Sequence, residues 1–220
     1  MIVLIGSPIA QPTTGGLAAG GLAAVVASAA AGLGSAVQLV GRVGEDAAGD
    51  AVLLDLAAAG VEHVAVLREP GRPTPSGRPI PGAPASPDGP VLGEAMLEDD
   101  DEGVPQDGLS MDAADLELAL RYLPDYRVVV IAADLDPAAV ATVVAAAGWA
   151  GAHLVVLVAT GSDGSMFPTD ATVLERPRSD PDGAFARLVA TFAAALDRGV
   201  EPSAAFSAAS GSAGWASVPT

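Results

Sequence analysis

Residues 179–185 are Ser-Asp-Pro-Asp-Gly-Ala-Phe, and they open directly onto an amphipathic helix. From Phe185 the apolar side chains recur every three or four residues as far as Leu196, which places them on one helical face. Arg198 falls in the last turn and Gly199 follows it, a pattern typical of a helix end. A turn of Asp, Pro and Gly therefore leads into a buried helix. Such a helix N-terminus has free backbone N–H groups and the positive end of a dipole, so it can hold a phosphate.

The rest of the chain alternates between apolar runs and helical patterns. Apolar runs predict strands at residues 2–5, 37–40, 64–67, 127–132 and 154–158. Helical spacing predicts helices at about 22–33, 52–59, 113–123, 137–148, 185–198 and 202–213. Asp112 with Asp115, and Asp136 followed by a proline, mark two helix starts, whereas residues 7–21 and 41–46 are interpreted as a loop and a turn. The strands are too apolar to be half exposed, so we expect an α/β layered fold, a mostly parallel sheet with helices on both faces.

Composition excludes several classes of function. The 220 residues are 50% apolar and only 4% aromatic, which predicts one domain over 1–220 with a core of Ala, Val and Leu. The net charge is −17, so the surface repels nucleic acid and anionic membranes. All ten basic residues are arginines and there is no cysteine. Schiff-base chemistry, a P-loop lysine, disulfides and thiolate catalysis are therefore excluded.

The apolar stretch at residues 15–34 could suggest a signal peptide. No Lys or Arg precedes Arg42, so the charged start of such a peptide is missing. The stretch is also interrupted by glycines, which makes it a poor membrane span. We therefore predict a soluble, cytoplasmic protein.

Residues 69–108 differ from the rest of the chain because proline is dense and residues 98–102 are all acidic. Such a composition predicts a surface excursion or a small flap. The acidic run is interpreted as a solvated loop, since nothing fixes its geometry for a metal ion.

Three further stretches carry a family resemblance. Residues 20–27 are Gly-Gly-Leu-Ala-Ala-Val-Val-Ala, and residues 40–46 are Val-Gly-Arg-Val-Gly-Glu-Asp. Thr-Gly-Ser-Asp-Gly-Ser at 160–165 is followed by Asp-Gly-Ala-Phe at 182–185. In this order they resemble the ribokinase-like (PfkB-type) carbohydrate kinases. The first resembles the start of the family's Gly-Gly helix, and the second is nearly identical to the family's second motif. The third resembles the family's nucleotide loop and its Gly-Ala-Gly-Asp-Ala-Phe turn.

The resemblance implies an ATP-dependent kinase that uses magnesium and phosphorylates a sugar or nucleoside hydroxyl. It implies a central sheet with a β-lid, here reduced to residues 69–108, through which a homodimer could form. The implied site residues fall in three groups: for catalysis Asp182 and Gly183; for the nucleotide Thr160, Gly161, Gly164, Ser165 and Ala184; for the substrate Gly20, Gly21 and Val25. It implies no residue of this chain as a metal ligand.

The catalytic turn departs from the family pattern. With Ala184 and Phe185 aligned, Gly183 stands where the catalytic aspartate belongs and Asp182 lies one residue early. Pro181 removes a backbone N–H donor, and carboxylates at this helix start repel a phosphate. A general base must lie within hydrogen-bonding reach of its proton, so Asp182 can substitute only in a remodelled turn.

Other positions depart as well. Val25 replaces an asparagine that would bind a sugar hydroxyl, Ala208 replaces one that often lies near the adenine, and residues 6–14 contain no acid to hold the sugar. The strand–helix units expected after residues 154–158, with their Asn-x-x-Glu segment, are missing.

Two functions remain open. In the first, the chain is a degenerate homologue, impaired in catalysis, that acts as a ligand-binding or interaction protein. In the second, it is an active kinase with a rearranged turn that uses Asp182 or Asp180 as base.

Simpler structural explanations suffice for several residues. Asp46 and Asp50 fit a helix cap and first turn. The residues interpreted as structural, surface or packing positions are His63, His153, Trp149 and Trp215.

Overall fold

The computed structural model describes residues 1–77, 109–162, 164–180 and 182–212. In chain order its elements are β1 (Ile2–Ile5), β2 (Ile9–Thr13), β3 (Gly16–Gly20), α1 (Gly21–Gly32), β4 (Val37–Gly44), α2 (Ala47–Ala58), β5 (Val61–Glu69), α3 (Ala113–Tyr122), β6 (Val128–Ile131), α4 (Pro137–Ala150), β7 (His153–Ala159), a 3₁₀ turn (Gly164–Met166), β8 (Thr172–Arg176), α5 (Ala184–Asp197) and α6 (Pro202–Ser212). Six strands form one sheet in the order β5-β4-β1-β6-β7-β8, with every neighbouring pair parallel. Strands β2 and β3 form a separate antiparallel hairpin.

Helices cover both faces of the sheet. In β1, Ile2 and Leu4 lie in a core shared with α1, α2, α5 and α6, whereas Val3 and Ile5 pack with α3 and α4. All four side chains are fully buried, as expected for a strand with a helix layer on each side. The predicted α/β layered fold is therefore confirmed.

The predicted helix starts at Asp112 and Asp136 are confirmed. The Asp112 carboxylate accepts a hydrogen bond of 2.9 Å from the N–H of Asp115. The Asp136 carboxylate accepts from two N–H groups of the first turn of α4, at 2.8 and 2.9 Å. This helix ends at Ala150, two residues later than predicted, because Gly151 supplies the left-handed residue that closes it, with φ of 64°.

Three strand assignments differ from the prediction. Residues 9–20, interpreted as part of a loop, form the β2–β3 hairpin around a two-residue loop. Their Gly, Ala, Thr and Pro content lacks the alternation of apolar and polar residues that predicts strands. Residues 41–44, interpreted as a turn, extend β4 because β5 pairs with them as far as Glu69. No strand was predicted at β8, since its side chains are only half-buried or exposed.

The hairpin is held against α2 and by a third chain segment. The N–H of Ala19 in β3 donates to the Asp55 carboxylate of α2 at 2.8 Å. On the other edge of the hairpin, the N–H of Ala10 donates to the Pro75 carbonyl and the N–H of Gly77 donates to the Ala10 carbonyl, at 2.7 and 2.9 Å. Residues 75–77 therefore continue the hairpin as a third short strand-like segment.

The predicted lid lies largely outside the described residues. Of residues 69–108, those from 78 to 108 are not described, and they include the acidic run at 98–102. The assignment of this region as a lid, and of 1–220 as one domain, stays a prediction.

The β4–α2 turn is closed by Asp46. Its carboxylate accepts from the N–H of Gly49 at 2.7 Å and from the N–H and hydroxyl of Thr74 at 2.8 and 2.7 Å. These bonds, chiefly the one from the Thr74 hydroxyl, hold the pKa of Asp46 below its usual range. A Cβ on Gly44 would lie 2.4 Å from the Arg72 carbonyl oxygen, so only glycine fits there. The interpretation of Asp46 as a helix cap is confirmed.

Arg42, on the same strand, joins three elements. Its guanidinium pairs with the carboxylates of Glu69 in β5 and Asp115 in α3, and its N–H donates to the Ser7 hydroxyl at 3.0 Å. The hydrogen bond with Asp115 is the main reason that the pKa of Arg42 is raised. Two residues of the second family-like motif, Arg42 and Asp46, therefore form contacts that join neighbouring elements of the fold.

The connection from β7 to β8 is short. Its described residues contain only the 3₁₀ turn between two parallel neighbours, where an α-helix is the usual crossover. The expected strand–helix units are thus absent from the described part of this connection.

The tryptophan assignment is only partly testable. Trp149 is 92% exposed on α4, so the prediction that it packs in the core or at an edge is wrong. Trp215 lies outside the described residues.

Within the described ranges, no helix has both the length and the apolar character needed to cross a bilayer.

Candidate functional site

A cavity of about 280 Å³ lies where the start of α1 faces the β8–α5 connection. It is lined by residues from three segments: Leu22, Val25, Arg176, Pro177, Arg178, Ser179, Asp180, Gly183, Phe185 and Ala186. Two of the predicted site residues, Val25 and Gly183, are thus brought to one place although they lie far apart in sequence. The cavity opens at the carboxyl end of β8, beside the N-terminus of α5.

The N-terminus of α5 already holds an anion, the side chain of Asp180. The carboxylate oxygens of Asp180 accept from the backbone N–H groups of Phe185 and Ala186, each at 3.1 Å. The Asp180 carbonyl also accepts from the N–H of Gly183 at 3.0 Å, which closes the turn. Gly183 has φ of 63°, a left-handed conformation that favours glycine. The turn therefore folds back so that its own carboxylate caps the helix.

Asp182 lies on this turn but not in the cavity wall. It is exposed, and its side chain has no hydrogen-bond or ion-pair partner among the described residues. Its backbone carbonyl accepts from the Arg187 guanidinium. Ala184, assigned to the nucleotide, is the first residue of α5, and Pro181 lies outside the described residues.

The three predicted substrate residues lie in two different places. Val25 lies on the cavity side of α1 and is 42% exposed. Gly20 and Gly21 instead meet the hairpin, because a Cβ on Gly20 would lie 2.7 Å from the Cβ of Gln11. Gly21 has φ of 82°, which explains a glycine at the start of α1. Neither glycine is among the residues that line the cavity.

The predicted nucleotide loop follows β7. The Thr160 hydroxyl donates to the Arg176 carbonyl at 2.9 Å, which places the loop next to a cavity residue. Gly161 has φ of 82°, and Gly164 and Ser165 lie in the 3₁₀ turn. None of these four residues lines the cavity in the part of the chain that the structure describes.

The sequence pattern did not indicate two arginines that lie in the cavity wall. The Arg176 guanidinium binds both oxygens of Asp134 at 2.9 and 2.7 Å, which ties β8 to the loop after β6. Arg178 has no hydrogen-bond or ion-pair partner among the described residues. Neither belongs to a recognisable motif. The available signal was their position directly before the Asp-Pro turn.

Comparison with known proteins identifies chains of similar fold. Residues 4–76 match the family model described as pfkB family carbohydrate kinase. The structure is similar to Arabidopsis thaliana ribokinase complexed with ribose and ATP, at 19% identity and a TM-score of 0.58, covering 96% of this chain and 90% of that chain. The chain has the ribokinase-like fold of the PfkB carbohydrate kinases.

Two other solved structures show the same ribokinase-like fold. Aminoimidazole riboside kinase from Salmonella enterica matches at 14% identity and a TM-score of 0.59, covering 96% of this chain and 90% of that chain. A PfkB protein from Polaromonas sp. JS666 matches at 15% identity and a TM-score of 0.59, with coverages of 94% and 92%. No curated protein matches this chain in sequence. The predicted family resemblance is confirmed, and the part matched by the family model ends before the turn at 179–185.

A triphosphate does not fit the N-terminus of α5 as it stands in this ribokinase-like fold. The N–H groups of Phe185 and Ala186 are the donors that a phosphate oxygen would need, and both bind Asp180. The described residues also contain no group of three or more His, Asp or Glu side chains placed to hold a metal ion.

Proposed function

We propose that this chain is a PfkB-type homologue, impaired in phosphoryl transfer, that binds a small ligand in the cavity between α1 and α5. The observation that carries the proposal is the capping of α5 by Asp180. In a working kinase, N–H groups at this place stabilise the charge of the transferring phosphoryl group. Here both bonds, at 3.1 Å, go to a carboxylate of the protein itself.

Charge repulsion disfavours phosphate binding while Asp180 caps α5. Two unit charges 4 Å apart repel by about 4 kcal/mol at an effective dielectric constant of about 20. A phosphate at the N-terminus of α5 would meet the Asp180 carboxylate at about this distance or closer. Binding therefore requires Asp180 to leave, which also removes the helix cap.

The substrate side of the cavity supports the same proposal. Val25 offers no hydrogen bond to a sugar hydroxyl, and Gly20 and Gly21 are accounted for by their contacts with β2. A buried hydroxyl left without a partner costs about 1–3 kcal/mol. The three residues implied for the substrate thus have a structural explanation or carry no polar side-chain group.

The first experiment is a calorimetric titration of the full chain with Mg-ATP, at low and high salt, with ADP release measured over a panel of sugars and nucleosides. We expect no saturable Mg-ATP binding in the folded protein and no ADP above background. High salt keeps the acidic chain folded, so that failure to bind is not confused with unfolding. Release of ADP that depends on one acceptor would overturn the proposal.

An active ATP-dependent kinase is the second candidate, favoured by the carboxylate of Asp182, which is exposed beside the start of α5 and has no partner among the described residues. A free carboxylate at this place can take the proton from an acceptor hydroxyl if the turn rearranges. In that case Asp182→Asn abolishes turnover and leaves nucleotide affinity intact. Turnover equal to that of the parent protein would exclude Asp182 as the base.

A cytoplasmic location and a homodimer through residues 69–108 remain part of the proposal. Sedimentation of the full chain and of a chain lacking residues 78–108 tests the second point. A dimer that persists without these residues contradicts it.

A further inference from the structure

We propose that the cavity between α1 and α5 binds a small monocarboxylic acid with an apolar body, in preference to a sugar. The inference rests on the proposed function, because it takes this cavity to be a binding site. Three observations carry it: the apolar wall, an arginine without a partner in the described part of the chain, and the small volume.

The wall formed by α1 is apolar. Val25 is 42% exposed although the residues on both sides of it in sequence, Ala24 and Val26, are fully buried. Leu22 lines the cavity one turn earlier, and Phe185 closes it from α5. A polyol placed here would leave hydroxyl groups unpaired against Leu22 and Val25, whereas an alkyl or aryl group would cover them.

Charge on the lining residues of the β8–α5 connection favours one negative group. Arg176 is neutralised by Asp134, and the Asp180 carboxylate is held by two backbone N–H groups. Arg178 is then the lining charge without a partner among the described residues. In a chain with 27 acidic and ten basic residues, such an arginine is available to an incoming carboxylate, which its guanidinium can bind in a bidentate geometry.

Volume and charge together limit the size of the ligand. The cavity of about 280 Å³ lies at the lower end of the ~300–1,000 Å³ range of small-molecule sites. One carboxylate balances Arg178, whereas a triphosphate would bring several charges toward Asp180. The cavity therefore suits a single acid group on a short chain or one ring.

The test is titration of the full chain at constant ionic strength with hexanoate, benzoate, hexanol and ribose, followed by calorimetry and ligand-observed NMR. We expect hexanoate and benzoate to bind, and hexanol and ribose to bind at least about tenfold more weakly, because a charge-assisted hydrogen bond is lost. Arg178→Gln should weaken hexanoate about tenfold or more, and Val25→Asn should also weaken it.

Arg198→Gln is the matched control. Arg198 also lacks a side-chain partner among the described residues, and it lies at the opposite end of α5. We expect its substitution to leave hexanoate affinity unchanged. Equal effects of the two arginine variants, tighter binding of ribose than of hexanoate, or no carboxylate binding would overturn the inference.

The two proposals fail in different ways. Release of ADP overturns the proposed function. The hexanoate titration still tests the carboxylate inference in that case, because hexanoate has no acceptor hydroxyl. Absence of both ADP release and hexanoate binding overturns the carboxylate inference alone.

Discussion

At the scale of single residues, the turn before α5 shows how one side chain can occupy the N-terminus of a helix. Asp180 lies five residues before Phe185 in sequence, yet its carboxylate reaches the N–H groups of the first turn of the helix. The left-handed Gly183 lets the chain fold back far enough for this contact. The same side chain therefore caps the helix and occupies two N–H groups at its N-terminus.

Replacing Asp180 should separate these two effects. Asp180→Ala is expected to lower the free energy of unfolding by about 1 kcal/mol, the usual cost of a lost helix cap. It should also create an anion site, so that phosphate raises the melting temperature of the variant but not that of the parent. Thermal unfolding with and without phosphate measures both effects. Asp182→Ala is the control, because its side chain has no hydrogen bond to any described residue, and an equal response to phosphate there would contradict the assignment.

The Asp46 carboxylate should make stability depend on pH. Its pKa is lowered by hydrogen bonds from Thr74 and Gly49, so its contribution is present above the unfolded pKa of about 3.9 and is lost as pH falls through the lower folded pKa. Urea unfolding should show a larger deficit for Asp46→Asn at pH 7 than at pH 3. A deficit that is the same at both pH values would show that the charge does not matter.

The companion change Thr74→Val tests the same contact from the other side. It removes a hydroxyl that donates to Asp46 and accepts from the N–H of Gly44 at 2.9 Å. We expect a loss of about 1–2 kcal/mol at pH 7, because a buried backbone N–H is left unpaired. Denaturant unfolding measures it, and a near-neutral result would argue that water replaces the hydroxyl.

At the scale of elements, the hairpin and α2 form one unit. The contact of Ala19 with Asp55 pins the outer edge of β3, so that this edge is not free to pair with another strand. Asp55→Ala should therefore speed hydrogen exchange at the Ala19 amide and cost about 1 kcal/mol. Asp50→Ala is the control in α2, since Asp50 pairs with Arg68 at the exposed surface. Unchanged exchange at Ala19 would remove Asp55 from this role.

Elements with a continuous apolar run or a capping residue were predictable from sequence, and elements without such a signal were not. The buried runs of β1 and β6 and the caps of α3 and α4 are visible in short windows of residues. The hairpin at 9–20 lacks apolar–polar alternation and is supported by contacts with α2 and residues 75–77, and the side chains of β8 are only half-buried or exposed, so pattern and propensity indicate neither. In the site, Gly183 and Val25 were foreseen, whereas Arg178 required the fold that brings the β8–α5 connection against α1.

At the scale of the whole molecule, the net charge of −17 should make folding depend on salt. The Debye length falls from about 30 Å at 0.01 M to about 8 Å at 0.15 M, so added salt screens repulsion between exposed carboxylates. We expect the melting temperature to rise by roughly 2–4 °C over this interval, equivalent to about 1 kcal/mol. The rise should shrink near the isoelectric point of about 4.1, and a rise of the same size there would point away from charge repulsion.

The central position of β1 has a consequence for the order in which the chain folds. One edge of β1 pairs with β4, which follows soon in sequence, but the other pairs with β6, where the partner of Ile2 is Val128. During synthesis the first three sheet strands can assemble, while the backbone N–H and C=O groups on the second edge of β1 stay without their partners until β6 emerges. Loop closure over such a distance is slow, and an open strand edge is a template for aggregation. Chaperone dependence and inclusion bodies should therefore trace to nascent chains that end before residue 128.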